Sequence, residues 1–273
     1  MRDFSGAEED MKTVVVKIGG DLAGNVTLLT QLGFEIGELQ ASHSCLLVHG
    51  GGAELSGLMR RVGLQPVFKD GVRMTTAAEM GYVDMVLSGQ INKRLVRVFQ
   101  SCGINAVGLS GSDGGLFVGS PIARDSRTGD VSRLDPSLAV LLMKEGYFPV
   151  ISSTSMDAER KQGLNINADS VAFRIASALR ARFLVFISNI PGVLKHGEPI
   201  PKLTVAGALK EIEEGTITGG MIPKVRASAE ALGRGVEKII IGEYREPRDL
   251  ERLVSGRTGT QIIPNHSKEG DDR

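Results

Sequence analysis

Two lysines in this chain stand where glycine turns meet the ends of regular elements. Lys17 ends the otherwise apolar run Val14 to Ile18, immediately before Gly19-Gly20. Lys224 follows a second turn in Gly219-Gly220-Met221-Ile222-Pro223-Lys224, where a helix begins that continues through Ala227, Ala231 and Leu232. A buried lysine costs several kcal/mol unless an anion faces it. An ammonium group beside a helix N-terminus suits a phosphate. Another turn, His49-Gly50-Gly51-Gly52, follows the second apolar run. Glycines beyond the carboxyl ends of strands let backbone N–H groups approach phosphate or carboxylate oxygens. Gly19, Gly20, Gly51 and Gly52 therefore read as an anion cradle. Between the lysines lies Leu164-Asn165-Ile166-Asn167-Ala168-Asp169. A helix cap explains one of its three polar residues, whereas alternation in an extended segment would turn Asn165, Asn167 and Asp169 toward a single site. Arg73, in Gly71-Val72-Arg73-Met74-Thr75, is a candidate bidentate clamp for a substrate carboxylate.

Several chemistries are disfavoured. Neither GxxxxGK[ST] nor GxGxxG occurs, which counts against a P-loop NTPase and a typical dinucleotide-binding dehydrogenase. Two cysteines without a CxxC and four scattered histidines exclude a disulfide scaffold and a structural zinc centre. The 32 basic side chains balance 32 acidic ones, so a dedicated nucleic-acid binder is not expected, and the partner is a small molecule. The apolar runs are far shorter than the roughly 20 residues of a membrane span, and the start, Met1 to Met11, has no apolar leader. A reducing, cytoplasmic setting follows as the expectation.

The elements that must position these residues alternate. Short apolar runs at Val14 to Ile18, Cys45 to Val48, Ala106 to Leu109, Phe148 to Ser152, Phe183 to Ile187 and Lys238 to Ile241 are separated mostly by helix-period segments. That rhythm predicts one mainly parallel sheet covered on both faces. Thr76 and Glu79 form a capping box ahead of a helix that runs to about Phe99, long enough for a subunit interface. The stretch Gly111 to Pro136 is rich in Gly, Ser, Asp and Pro and reads as hairpins or loops on the surface. The character of the chain changes near Ser153 to Gly163, which suggests lobes at 1–153 and 154–273 sharing a continuous sheet. The charged tail from Ser267 to Arg273 is expected to be disordered.

Taken in order, Val16-Lys17-Ile18-Gly19-Gly20, His49-Gly50-Gly51-Gly52, Gly71-Val72-Arg73, Asn165-Ile166-Asn167-Ala168-Asp169 and Gly220-Met221-Ile222-Pro223-Lys224 resemble the amino-acid kinase superfamily over residues 12 to 264, and within it the N-acetylglutamate kinases. The resemblance implies a three-layer α/β/α sandwich around a mainly parallel open sheet. Its amino half would bind the acyl amino acid and carry the dimer contact, and its carboxyl half would bind ATP with Mg2+ held mainly by the nucleotide phosphates. The implied reaction is ATP-dependent phosphorylation of the side-chain carboxylate of N-acetyl-L-glutamate, in arginine and ornithine biosynthesis. By position, Lys17 and Lys224 would stabilise the transferring phosphoryl group, with Asp169 holding both. Gly51, Gly52, Arg73, Asn165 and Asn167 would bind the substrate. Gly19, Gly20, Ser188, Asn189, Gly192, Val193, Leu194, Thr216 and Thr218 would contact the nucleotide.

The chain departs from that pattern at Asn189 and Gly219, where the family often has Asp, and its nearest approach to the usual Gly-x-Val-Gly substrate hairpin is Gly129-Asp130-Val131. A carrier-protein-linked aminoadipate kinase of lysine synthesis, with Arg124, Arg127 and Arg133 as a basic entrance, is the alternative within the same chemistry. A non-catalytic amino-acid sensor is the alternative outside it, disfavoured because Lys17, Asp169 and Lys224 are all retained. Arginine-inhibited relatives carry an extra N-terminal helix that links dimers into a hexamer. Met1 to Met11 is too short for such a helix, so a homodimer without arginine feedback is expected.

Overall fold

Runs of Val, Ile, Leu and Phe that stay apolar at every position form strands buried on both faces, the composition of a parallel sheet between two helical layers. The structure is a computed structural model and describes residues 12–69 and 71–265. The expectations for Met1 to Met11 and for the tail from Ser267 lie outside those residues. The chain opens with β1 (Thr13–Ile18), α1 (Gly20–Gly24), α2 (Val26–Leu39), β2 (Ser44–His49) and α3 (Gly52–Arg61). A small flap of β3 (Val67–Lys69) and β4 (Val72–Met74) leads to a helical rod. The rod comprises α4 (Ala77–Asp84), a π-helical segment (Met85–Ile91) and α5 (Asn92–Ser101). Next come β5 (Ala106–Leu109), the hairpin β6 (Phe117–Pro121) and β7 (Thr128–Leu134), α6 (Ser137–Lys144), β8 (Phe148–Ser152), β9 (Thr154–Met156), β10 (Gly163–Ile166) and α7 (Ala168–Ala178). The remainder is β11 (Phe183–Ser188), β12 (Leu194–Lys195), β13 (Glu198–Pro199), β14 (Lys202–Thr204), α8 (Val205–Glu213), α9 (Met221–Gly233), β15 (Lys238–Glu243), α10 (Asp249–Val254) and β16 (Thr260–Ile263).

Eight strands make the central sheet in the order β14-β16-β15-β11-β1-β2-β8-β5, parallel except where β16 meets β15. Alternation along β1 sends Val14, Val16 and Ile18 into a core with α2, α3, the rod and α10. Val15 faces the opposite core, with α6, α7, α8 and α9. This is the expected α/β/α sandwich. The central sheet runs without a break across the expected lobe boundary. The chain leaves β1 toward β2 on one side and returns through β11 on the other, so the carboxyl end of β1 is a switch point where ligands bind in open α/β sheets.

A second sheet, in the order β6-β7-β10-β9, roofs this end of the molecule. The Gly111 to Pro136 stretch is thus a hairpin, as expected. It is not merely superficial, because Phe117, Val118 and Val131 are buried. The helix expected from Thr76 is also present and capped, with the Glu79 carboxylate accepting from the Thr76 N–H at 2.7 Å. Its middle, however, is π-helical. The wider turn brings Leu87 and Ile91 against Gly51 and sets the Ser88 hydroxyl 2.9 Å from that of Ser152.

Candidate active site

Lys17 leaves β1 beside Phe186 of β11 and reaches over the first turn of α7. Its Nζ lies 2.7 Å from Asp169 Oδ1. Lys224, in the first turns of α9, comes from the other side and places its Nζ 3.3 Å from Asp169 Oδ2 and 5.0 Å above the Phe186 ring. One carboxylate therefore bridges two ammonium groups whose side chains are 15% and 14% exposed, enough for a ligand to reach them. Burial pushes the Asp169 carboxyl up, but the charges and hydrogen bonds of Lys17 and Lys224 outweigh it and hold the group below its ordinary value.

The glycine turns close on this pair. A Cβ on Gly20 would lie 3.5 Å from Gly52 N and 3.6 Å from Ala53 N, so the α1 and α3 entries face each other. Gly51 has no room for a side chain, because a Cβ there would run into Ile91 Cδ1 and lie 2.7 Å from Leu87 Cδ2. Gly19 differs from the expected donor role, since its N–H is spent on Ile187 O at 3.3 Å. Beneath the turn, the fully buried His49 donates from Nδ1 to Gly50 O at 2.9 Å, while Nε2 accepts from the Asn92 amide at 3.1 Å. Burial drives its pKa down to about 4, so the ring is neutral near pH 7 and holds the turn as a donor.

A cavity of about 210 Å³ opens beside Lys17 and Gly52, walled by Arg73, Thr128, Ser153, Asn165 and Asn167. Arg73 is buried on β4. It donates to Gly52 O at 3.0 Å and to Ser56 Oγ at 2.5 Å, with its guanidinium 4.7 Å from the Phe68 ring centroid. These contacts fix the fork at the cavity wall. Asn165 lies on β10, one residue before its end, and donates to Thr75 Oγ1 at 2.9 Å. The three polar residues do not alternate along one extended segment: Asn167 caps α7 by accepting from Asp169 N at 2.8 Å, and Asp169 is helical. Asn165 and Asn167 nevertheless line the same cavity, and Asp169 reaches between the lysines.

The expected nucleotide segments are assembled less completely. Ser188 and Asn189 line a cavity of about 330 Å³ with Gly19, Asp21, Glu243 and Tyr244. The Asn189 carboxamide donates to the Asp21 carboxylate, a pairing that an Asp at 189 would replace with repulsion. Gly192 packs against Thr260, whose hydroxyl accepts from Val193 N at 2.8 Å, and Leu194 begins β12. Thr216 hydrogen-bonds Glu211 and Thr218 is exposed; neither lines the cavities described here. Gly219 adopts φ +55 in the turn before α9, a conformation that glycine takes without strain.

Sequence reasoning missed Ser56, Phe68, Thr75, Thr128 and Ser153. Ser56 stands four residues after Gly52, one helical turn on, and that spacing was a usable signal. The others carry no local signature.

A model of the amino acid kinase family matches residues 12–243. The chain is 42% identical over 231 residues to the acetylglutamate kinase of Chloroflexus aurantiacus, covering 83% of this chain and 90% of that one. It is 37% identical over 261 residues to the chloroplastic acetylglutamate kinase of Arabidopsis thaliana, covering 92% and 75%. Among solved structures, smu.665 from Streptococcus mutans UA159 superposes with a TM-score of 0.79 at 26% identity, over 93% of this chain and 99% of that one. N-acetylglutamate synthase from Neisseria gonorrhoeae superposes with a TM-score of 0.82 at 19% identity, over 94% and 60%, a likeness of fold.

Proposed function

The chain belongs to the amino acid kinase family, and from that premise we propose that it transfers the γ-phosphoryl group of ATP to the side-chain carboxylate of N-acetyl-L-glutamate, as an enzyme of arginine biosynthesis. The observation that carries this reading is the Lys17, Asp169, Lys224 bridge beside a cavity that also presents Arg73 and Asn165. A carboxylate oxygen attacks the γ-phosphorus, the bond to the β,γ-bridging oxygen breaks, and its electron pair leaves with ADP. No base is required, because a glutamate side chain with a pKa of about 4.3 is already ionised at neutral pH. The work left to the protein is alignment and stabilisation of charge on the transferring group. Lys17 and Lys224 supply that charge from opposite sides. Gly20, Gly51 and Gly52 bring backbone N–H groups to the phosphates, and Arg73 with Asn165 holds the α-carboxylate of the acyl amino acid.

The donor set fits a nucleotide better than a caged metal. Two ammonium groups converge on one carboxylate, and no group of three or more His, Cys, Asp or Glu that could hold a metal occurs among the described residues. Mg2+ would arrive on the nucleotide phosphates and neutralise part of their charge. Ser188, Asn189 and the segment through Leu194 form the nucleotide side of the reading, with Thr216 and Thr218 beyond α8, and the amino lobe to residue 153 forms the acceptor side. The carrier-linked alternative has less support, because the relatives described above are acetylglutamate kinases.

The test is a coupled assay of the pure protein with ATP, Mg2+ and a panel of N-acetyl-L-glutamate, free glutamate, N-acetylaspartate and free or carrier-linked aminoadipate. N-acetyl-L-glutamate should be turned over in clear preference, and a preference for the carrier-linked substrate would refute the assignment. In the same assay, Arg73→Lys keeps the charge but loses the planar fork. It should raise KM for the acyl amino acid about 10- to 100-fold while KM for ATP barely moves. The reverse pattern would remove Arg73 from the substrate site.

A homodimer joined through the rod from Ala77 to Ser101 belongs to the same reading. Met85 is 64% exposed on that rod, an apolar side chain available for a second copy. Light scattering should give twice the 29.1 kDa chain mass, about 58 kDa, and a monomer would exclude the dimer.

A further inference from the structure

Thr128 opens β7, in the hairpin where the resemblance is weakest, and is 1% exposed. Its hydroxyl accepts from the Thr75 N–H at 2.7 Å and donates to Arg73 O at 2.7 Å. It thereby ties together the two ends of the segment that carries the guanidinium fork. The neighbouring backbone repeats the link, with Arg127 N donating to Thr75 O at 2.8 Å and Asn165 N donating to Arg127 O at 2.7 Å. On the far side, the Thr75 hydroxyl accepts from the Asn165 amide at 2.9 Å. A chain of hydrogen bonds thus runs from Arg73 through Thr128 and Thr75 to Asn165, and the first and last members wall the 210 Å³ cavity together with Thr128 itself.

We propose that Thr128 is the positioning residue of the acceptor site, fixing the separation of Arg73 and Asn165 so that both meet the α-carboxylate of the acyl amino acid at once. The proposal rests on the kinase reading and deepens it. The flap needs such a tie because β3 and β4 pair with each other in a two-stranded sheet outside the central one, and Val67 and Phe68 on it are exposed. A two-stranded ribbon alone is marginally stable in water. Valine matches threonine in shape but can neither accept from Thr75 nor donate to Arg73, so Thr128→Val severs both bonds without opening a cavity. Serine keeps the hydroxyl.

The experiment is steady-state kinetics of Thr128→Val and Thr128→Ser, on whichever acyl amino acid of the panel the wild type turns over. Thr128→Val should raise KM for the acceptor by about tenfold or more, the factor carried by one well-placed hydrogen bond to a charged group. KM for ATP and kcat at saturation should stay within about threefold, and Thr128→Ser should restore the acceptor KM. If Thr128→Val does not fold, Thr75→Val tests the same chain from its other end, since it keeps the N–H that bonds Thr128 and deletes the hydroxyl that holds Asn165. Its acceptor KM should rise alone. An unchanged acceptor KM in the variant that folds, equal rises in both KM values, or a serine variant as impaired as the valine one would each overturn the proposal. A wild type inactive on N-acetyl-L-glutamate but active on another panel member would overturn the substrate assignment instead, and the variants would then be read on that substrate.

Discussion

Lys224→Ala is expected to lower kcat by about 10²- to 10³-fold, the loss typical of one electrostatic donor to a developing charge, with much smaller changes in both KM values. The same is expected of Lys17→Ala. Each ammonium group is anchored on a different oxygen of Asp169, and neither side chain is buried beyond reach of a ligand. The lysines are thus held in place without a ligand, and in the proposed reaction they would need little rearrangement as charge develops on the transferring phosphoryl group. A group that acts on the transition state lowers kcat, whereas one that merely holds the ground state raises KM. Steady-state kinetics with both substrates varied separates the two. Near-normal kcat with raised KM for ATP in either variant would reassign that lysine to nucleotide binding.

Asp169→Asn should be as damaging as either lysine variant, reducing kcat by about 10²-fold or more, although this carboxylate need not touch the substrate. The substitution preserves shape and removes the charge that lets two ammonium groups stand close together. Leaving partly buried cations without their partner costs several kcal/mol, and the lysines would splay or bind solvent anions. Burial raises the Asp169 pKa, but the two lysines more than compensate, so the carboxylate is already ionised throughout the neutral range and has no proton to exchange there. The pH-rate profile of the variant should therefore keep the shape of the wild type while dropping as a whole. Disappearance of its acidic limb would show that Asp169 transfers a proton. Stability supplies an independent check. A carboxyl whose folded pKa is depressed contributes stability that is complete above its unfolded value of about 3.9 and is lost as pH falls through the folded value. The Tm gap between wild type and Asp169→Asn should be full at neutral pH and narrow in strong acid.

The fold was legible because burial on both faces leaves a continuous apolar run, and helices leave a period of 3.6; both signals survive in a single sequence. The capping box at Thr76 and Glu79 was legible for the same local reason. The π-helical turn from Met85 to Ile91 was not, because it responds to what packs on it: Gly51 accepts Leu87 and Ile91 at a distance that no side chain at 51 would permit. The hairpin after Gly111 was legible as a turn-rich segment, but its buried inner face was hidden, since Leu116-Phe117-Val118 is an apolar run of only three and Val131 stands alone among polar neighbours, both short of a strand signal of about four to eight residues. Among the residues expected to contact the nucleotide, Ser188 and Asn189 came to a cavity with Gly19, whereas Thr216 turned to Glu211, a pairing across a helix end that composition does not reveal.

By itself the sequence determined the types of group available and their local settings. These are a lysine at the end of a buried strand, a second at the start of a helix, glycines at both strand ends, a carboxylate in the first turn after a cap, and an arginine ahead of a capped helix. Each is decided by neighbours within a few residues, through chain geometry and the cost of burying an unpaired charge. Tertiary structure alone decided that Lys17 and Lys224 would share Asp169, that the Arg73 fork would be braced by Gly52 O and Ser56, and that Thr128 would bridge Arg73 and Thr75 across separations of 55 and 53 residues. The physical reason is that a hydroxyl or an ammonium group bonds whatever lies opposite it. What lies opposite is set by the register in which strands pair and helices pack, a property of the whole core that no stretch of the chain carries on its own.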